Sequence, residues 1–169
     1  EMCIRDSCTS LPHKIRLRDP NKIVNIPPYR LPHNLLSVVH EYVDKLLEAG
    51  VIRHSTSPFS SPIMLVRKAG ADPRGPLTQQ FRIVHNYTRV NANLDTCSYP
   101  LRNIQEQLDE VAAGKVRSIF DLSQGFFNQD IDDPAGATAF SVPGRGLFEY
   151  TRSPMGIASS PAYFQRLLD

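Results

Sequence analysis

Arg117-Ser118-Ile119-Phe120-Asp121-Leu122-Ser123-Gln124-Gly125-Phe126-Phe127-Asn128-Gln129-Asp130-Ile131 is the stretch whose reading decides the fold. An apolar run, Val116 to Leu122, carries one carboxylate, Asp121, near its end; the turn Ser123-Gln124-Gly125 and two aromatic rings follow. Such a run predicts a short β-strand buried on at least one face. A carboxylate placed there needs a hydrogen-bond partner, a cation or a metal, because burying it unpaired is costly. Read by itself, Asp121 caps the following turn with its side chain. The chain on either side moves the weight towards a metal ligand.

Downstream, Ala137–Val142 and Phe148–Thr151 read as short strands split by Pro143-Gly144-Arg145-Gly146. Asp130, Asp132 and Asp133 fit a polar turn before Pro134. Pro154-Met155-Gly156 breaks the chain, and a last helix runs from Ala162 to Leu168, with Ser160 as N-cap and Pro161 in its first turn. The sequence stops about two turns into that helix, which is expected of a fragment.

Upstream, residues 100–113 form an amphipathic helix opened by Pro100 and closed by Gly114. Ile63–Val66 and Phe81–Val84 read as a hairpin with a long mobile tip, basic at its ends through Arg67, Lys68 and Arg82. Basic groups facing one cleft can clamp a polyphosphate, although a single lysine at a loop edge is more often just solvated. Residues 34–49 are the clearest helix, with Leu35, Val39, Tyr42, Val43, Leu46 and Leu47 on a core-facing stripe, a Glu41–Lys45 pair, and Gly50 as the stop. Four prolines between 20 and 32 make residues 11–32 an extended strap. Residues 1–10 lack periodicity and are expected to be disordered or foreign to the domain.

The 169 residues are enough for one domain with a sizeable core. There is no apolar run of membrane-spanning length and no basic-then-apolar leader, so neither a membrane segment nor a secretion signal is expected. Three cysteines without metal-ligand spacing point to a reducing compartment rather than a disulfide framework. Residues 1–100 hold thirteen Lys/Arg against eight Asp/Glu, and residues 101–169 hold six against nine. A basic half beside an acidic half suits a polyanion-binding surface next to a cation site, though chance produces such splits too.

The order of these pieces resembles the reverse transcriptase of gypsy-type LTR retrotransposons and, more distantly, of retroviruses. The resemblance rests on His13-Lys14-Ile15, Pro28-Tyr29-Arg30-Leu31-Pro32, Leu46 to Ile52, Ser57 to Ile63, Arg82 to Asn91, Tyr99-Pro100-Leu101, Phe120-Asp121-Leu122, Thr138-Ala139-Phe140 and Pro154 to Gln165. It covers about residues 13–169, leaving 1–12 unmatched. It implies an α+β fold, the fingers and partial palm of a right-hand polymerase. Residues 13–32 would be the lead-in, 33–95 and 129–158 fingers, 96–128 palm, and 159–169 the start of a palm helix. It further implies RNA-directed DNA polymerase activity. Asp121 would be the catalytic carboxylate and, with the Leu122 main-chain carbonyl, would bind Mg²⁺. Two ions would serve in the complete enzyme, with Mn²⁺ as a substitute. Lys68, Arg82, Gln124, Gly125, Phe126 and Met155 would bind the dNTP; Arg67, Gly156 and Pro161 would meet the template-primer. Phe126 would pack under the sugar and exclude a 2′-hydroxyl. The implied partners are RNA or DNA template-primer, dNTP and the rest of the Pol polyprotein (thumb, RNase H and integrase), and no membrane. The implied site is a cytoplasmic particle or the nucleus.

The sequence departs from the family pattern in two places. His85-Asn86-Tyr87-Thr88 stands where Val-Asp-Tyr-Arg is common, so a fingers ion pair is expected to be lost. The Tyr-x-Asp-Asp hairpin that supplies most of the metal site would lie beyond Asp169, so this chain by itself is expected to be inactive. Two other readings are a non-catalytic nucleic-acid-binding or protein-interaction remnant of a retroelement, and an unrelated hydrolase using Asp121 with Asp130 or Glu149.

Overall fold

The computed structural model describes residues 8–95, 99–100, 103–119, 121–122 and 124–169. Its centre is a five-stranded sheet in the order β2-β7-β6-β3-β4, formed by β2 (Ile52–His54), β3 (Ser61–Arg67), β4 (Phe81–His85), β6 (Phe140–Val142) and β7 (Gly146–Tyr150). The expected hairpin is present, with β3 antiparallel to β4 and Val66 opposite Arg82. The connection at its tip carries one short helix, α2 (Leu77–Gln80). β6 joins β3 in parallel and β7 in antiparallel fashion. Ala137 to Ala139, expected to open a strand, form a turn instead. Asp133 organises it, its carboxylate accepting from the amides of Ala137 (3.0 Å) and Thr138 (2.8 Å). Asp130 and Asp132 do not share that turn; they lie in β5 (Gln129–Asp132).

Helix α1 (His33–Glu48) follows the periodicity closely. Val39, Val43 and Leu46 are buried and pack with Val51, Ile63, Phe140 and Phe148 in the first of two cores. The Glu41–Lys45 ion pair forms on the open face at 2.6 Å. Gly50 ends the helix at φ 67°, in the left-handed region that glycine tolerates without strain.

The strap between 11 and 32 is extended and fastened at several points. Arg18 donates its amide to the Asn93 carbonyl (2.8 Å), Asp95 to Arg16 (2.8 Å), and Ile26 to Ser60 (2.9 Å). Ile15 and Val24 enter a second core with Phe59, Tyr87, Val90, Leu94 and Ile157. The unstructured start expected for residues 1–10 is corrected in part, because strand β1 begins at Cys8 and runs to Lys14, parallel to β5. Residues 1–7 lie outside the described residues.

His13, at the end of β1, is fully buried. Its Nδ1 meets Ser153 Oγ at 2.8 Å and its Nε2 meets Ser159 Oγ at 2.7 Å. Both ring nitrogens are thus partnered, and burial pushes the imidazole pKa down to about 4. Those bonds explain the start of α5 (Ser160–Leu168). Ser159 holds the N-cap position, but its hydroxyl serves His13, and Ser160 Oγ donates to the Pro154 carbonyl (2.9 Å).

The largest correction concerns the opening stretch. Residues 116–119 and 121–122 form no strand, and Val116 and Ile119 are 90% and 95% exposed. A strand needs a neighbour for its amides and carbonyls, and no described strand runs beside this segment. Phe120 and Ser123 lie outside the described residues. The preceding helix, α4 (Ile104–Ala113), starts four residues after Pro100, where Asn103 Oδ1 accepts from the Gln105 amide at 2.9 Å. Its amphipathic pattern is real, yet none of its residues is buried.

Candidate functional site

Three adjoining clefts gather the residues singled out in the sequence. The first, about 260 Å³, lies between α1 and the β3–β4 hairpin, with Lys68, Arg82, Tyr42 and Ile83 in its walls. The second, about 230 Å³, shares Tyr42, Arg82 and Ile83 and continues to His85, Gln124, Phe127, Tyr150, Met155 and Gly156. The third, about 380 Å³, shares Gln124 and Met155 and ends on Asp121, Leu122, Gly125, Phe126 and Phe164. One trough therefore carries a cationic end, a middle with an aromatic floor and an end bearing a carboxylate.

Local structure positions each group. β4 brings Arg82 and Ile83 to the walls of the first two clefts and Val84 and His85 to the second. Lys68 follows β3, and its amide donates to the Gln80 carbonyl (2.8 Å), which ties it to the hairpin's tip. Among the described residues neither the Lys68 nor the Arg82 side chain has an acidic partner. Gln124 turns the chain in the left-handed region at φ 53°, and Gly125 to Asn128 form a single 3-10 turn. A Cβ on Gly125 would stand 2.8 Å from Phe164 Cζ, so a larger residue there would push the tip of that ring aside. The Phe126 ring, half-buried, packs on Phe164 with centroids 5.1 Å apart. Asn91 pins the Met155-Gly156 turn, donating to the Gly156 carbonyl (2.8 Å) and accepting from the Ala158 amide (2.9 Å). Met155 itself is 54% exposed.

Arg67 is exposed at the outer end of β3, opposite Phe81, and Pro161 is exposed in the first turn of α5; neither lines the trough. Asp130 is ion-paired with Arg152. Glu149 is held by Arg53 (2.7 Å) and Ser55 (2.6 Å). Neither carboxylate joins Asp121 in its cleft, so the hydrolase pairing has no geometric basis. Asn86, in the motif that departs from the family pattern, bonds to the Tyr29 hydroxyl (3.1 Å) and to Thr88 Oγ1 (2.7 Å) rather than to an ionic partner.

Three residues that were not site candidates form the floor. His85 Nε2 meets the Tyr150 hydroxyl at 2.8 Å, and Tyr42 lines the same cleft. Burial lowers the His85 pKa to about 3 and raises those of both tyrosines, so all three are neutral near pH 7. Tyr42 sits on a helical stripe that reads as core, and His85 reads only as a departure from a motif. No local signal links them, because His85 and Tyr150 lie sixty-five residues apart on strands that are not neighbours in the sheet and meet only through their side chains.

No family model matches the chain. The retrovirus-related Pol polyprotein from transposon opus of Drosophila melanogaster is 35% identical over 144 residues, 83% of this chain and 14% of that relative. The one from transposon 412 of the same organism is 30% identical over 156 residues, 92% of this chain and 12% of the relative. The chain is homologous, over most of its length, to retrovirus-related Pol polyproteins. It spans a small part of the length of these relatives. It also matches a solved structure of the foamy viral protease-reverse transcriptase in complex with RNA/DNA hybrid, at TM-score 0.70 and 24% identity, over 93% of this chain and 20% of that one. The mixed α+β fold expected from the sequence is thus that of part of a reverse transcriptase.

Among the described residues the metal donors are few. Asp121 and the Leu122 carbonyl offer hard oxygens at the end of the trough, of the kind Mg²⁺ prefers. Among the described residues no three His, Cys, Asp or Glu side chains come together to hold a metal ion. This donor set is too small for two cations. Among the described residues no helix is long and apolar enough to cross a membrane.

Proposed function

We propose that the chain is the nucleotide-binding part of an RNA-directed DNA polymerase, with residues 33–95 and 129–158 as fingers and 96–128 and 159–169 as palm. The observation that supports this reading is the trough joining Lys68 and Arg82, through Gln124 and Met155, to Asp121. A dNTP has the same order of chemistry: a polyanion at one end, and at the other a sugar and the phosphorus that is attacked. Lys68 and Arg82 hold the triphosphate by charge, and the amides of Gln124 and Gly125 add donors that need no reorganisation. Phe126 lies under the sugar with Met155 beside it. Arg67, Gly156 and Pro161 contact the template-primer, an RNA or DNA duplex of the kind bound in the foamy viral structure.

Mg²⁺ would supply charge neutralisation at the attacking and leaving oxygens of the transfer. Asp121 and Leu122 contribute one side of that site, and the remaining carboxylates come from other parts of the polyprotein. By itself the chain binds nucleotide and incorporates none. The test is primer extension on an RNA template. The polyprotein carrying this chain extends the primer with Mg²⁺, Asp121→Asn lowers the rate by about 10² or more, and the 169-residue chain is inert. Salt-sensitive RNA binding by the polyprotein with no incorporation would favour a non-catalytic remnant instead.

A further inference from the structure

We infer that His13 is a positioning residue of the nucleotide site: from the strap, one imidazole holds Ser153 and Ser159, the two ends of the turn that carries Met155 and Gly156 into the clefts. The inference rests on the dNTP reading of the trough and adds to it a residue that touches no ligand.

Met155 lines the second and third clefts, and Gly156 lines the second. Both are exposed, so their places are set by the backbone of the turn rather than by packing around their side chains. Asn91 holds the crest of the turn, at Gly156 and Ala158. The ends are buried, and there His13 Nδ1 meets Ser153 Oγ at 2.8 Å while Nε2 meets Ser159 Oγ at 2.7 Å. A ring that bonds both ends fixes the distance between them.

The protons of this cluster can be placed one by one. The Pro154 carbonyl only accepts, so Ser160 spends its O–H there, at 2.9 Å. Ser160 Oγ then accepts from Ser153, at 3.4 Å. With its own proton given, Ser153 accepts from His13, which puts the imidazole proton on Nδ1. Burial keeps the ring neutral near pH 7, so Nε2 has a lone pair and accepts from Ser159. The bonds thus run in one direction, from Ser159 through His13, Ser153 and Ser160 to the carbonyl that precedes Met155. Each hydroxyl in that series has one donor role and uses it, which leaves the cluster a single arrangement.

The test is titration of the 169-residue chain with Mg²⁺·dTTP, followed by calorimetry below the thermal midpoint of every variant. Lys68→Ala and Arg82→Ala check the underlying reading. His13→Ala is expected to weaken binding about fivefold, the worth of one hydrogen bond. In a Met155→Ala background the same exchange is expected to weaken it no further, because the turn then has no side chain to place. Val24→Ala loosens the strap's core contacts without touching either serine, and its affinity stays at the wild-type level. Wild-type affinity in His13→Ala, with Arg82→Ala weakened, overturns the inference and leaves the triphosphate site standing. So does an equal loss from His13→Ala with and without Met155, or a loss in Val24→Ala as large as in His13→Ala, since either makes His13 a support of the fold alone. Indifference of binding to both Lys68→Ala and Arg82→Ala removes the site and the inference together. If His13→Ala fails to fold, Ser159→Ala decides in its place, and unchanged affinity there overturns the positioning role.

Discussion

His13 and His85 tie stability to pH in the same direction. Burial depresses both folded pKa values, to about 4 and about 3, below the ordinary value of 6.5. The unfolded chain therefore binds more protons below pH 6.5, and stability falls as the pH drops through that window. For His13 the loss on reaching pH 4 is about 3 kcal/mol. Urea unfolding at pH 7 and at 4.5 measures it, and His85→Val flattens the slope, since valine takes up no proton. On the proposed dNTP reading, Phe126→Ala is expected to open the space under the sugar and to lower discrimination against ribonucleotides in the primer-extension assay of the polyprotein about tenfold or more. Residues of this kind differ in how far the sequence announces them. Arg82 belongs to a collinear motif, and Lys68, Gly125 and Phe126 follow from the family resemblance that those motifs carry; all four were legible as candidates. Tyr42 was not, because a tyrosine beside Val43 on an amphipathic stripe has the pattern of a packed residue. Its place in the walls of two clefts becomes visible only once the β3–β4 hairpin lies against α1.

Helices α1 and α4 have similar amphipathic sequences and opposite fates. In α1 the apolar face meets a sheet, and Leu46 is 1% exposed. Leu46→Ala is expected to cost about 2–5 kcal/mol in chemical denaturation. In α4, Leu108 is more than half exposed, and Leu108→Ala is expected to stay within about 0.5 kcal/mol. Periodicity specifies which face is apolar and says nothing of what covers it. The same limit explains residues 116–119, beside which no described strand runs. The β3–β4 hairpin was legible because both strands and their turn lie within twenty-five residues. Strand β2 was not, being three residues long and defined by its pairing with β7. The 135–139 turn rests on backbone geometry: Gly136 has φ 66°, and a Cβ there would meet Ser57 Oγ at 2.6 Å. Gly136→Ala should cost about 1–3 kcal/mol by the same measurement.

Across the whole molecule the two cores and two sheets are stitched by contacts between distant parts of the sequence. β1 lies beside β5, and His13 joins Ser159 across 146 positions. Composition and motif order made the class of fold legible, but no short-range pattern could pair a strap at residue 8 with a strand at 129. That stitching has a consequence for how the molecule comes into being. A ribosome makes the strap long before Ser153 and Ser159, and loops of such length close late. The strap emerges ahead of its partners and waits for its place, because Ser153 and Ser159 must leave the exit tunnel before His13 has a home. Until then Ile15 and Val24 face water, and the second core waits on Ile157 to close over them.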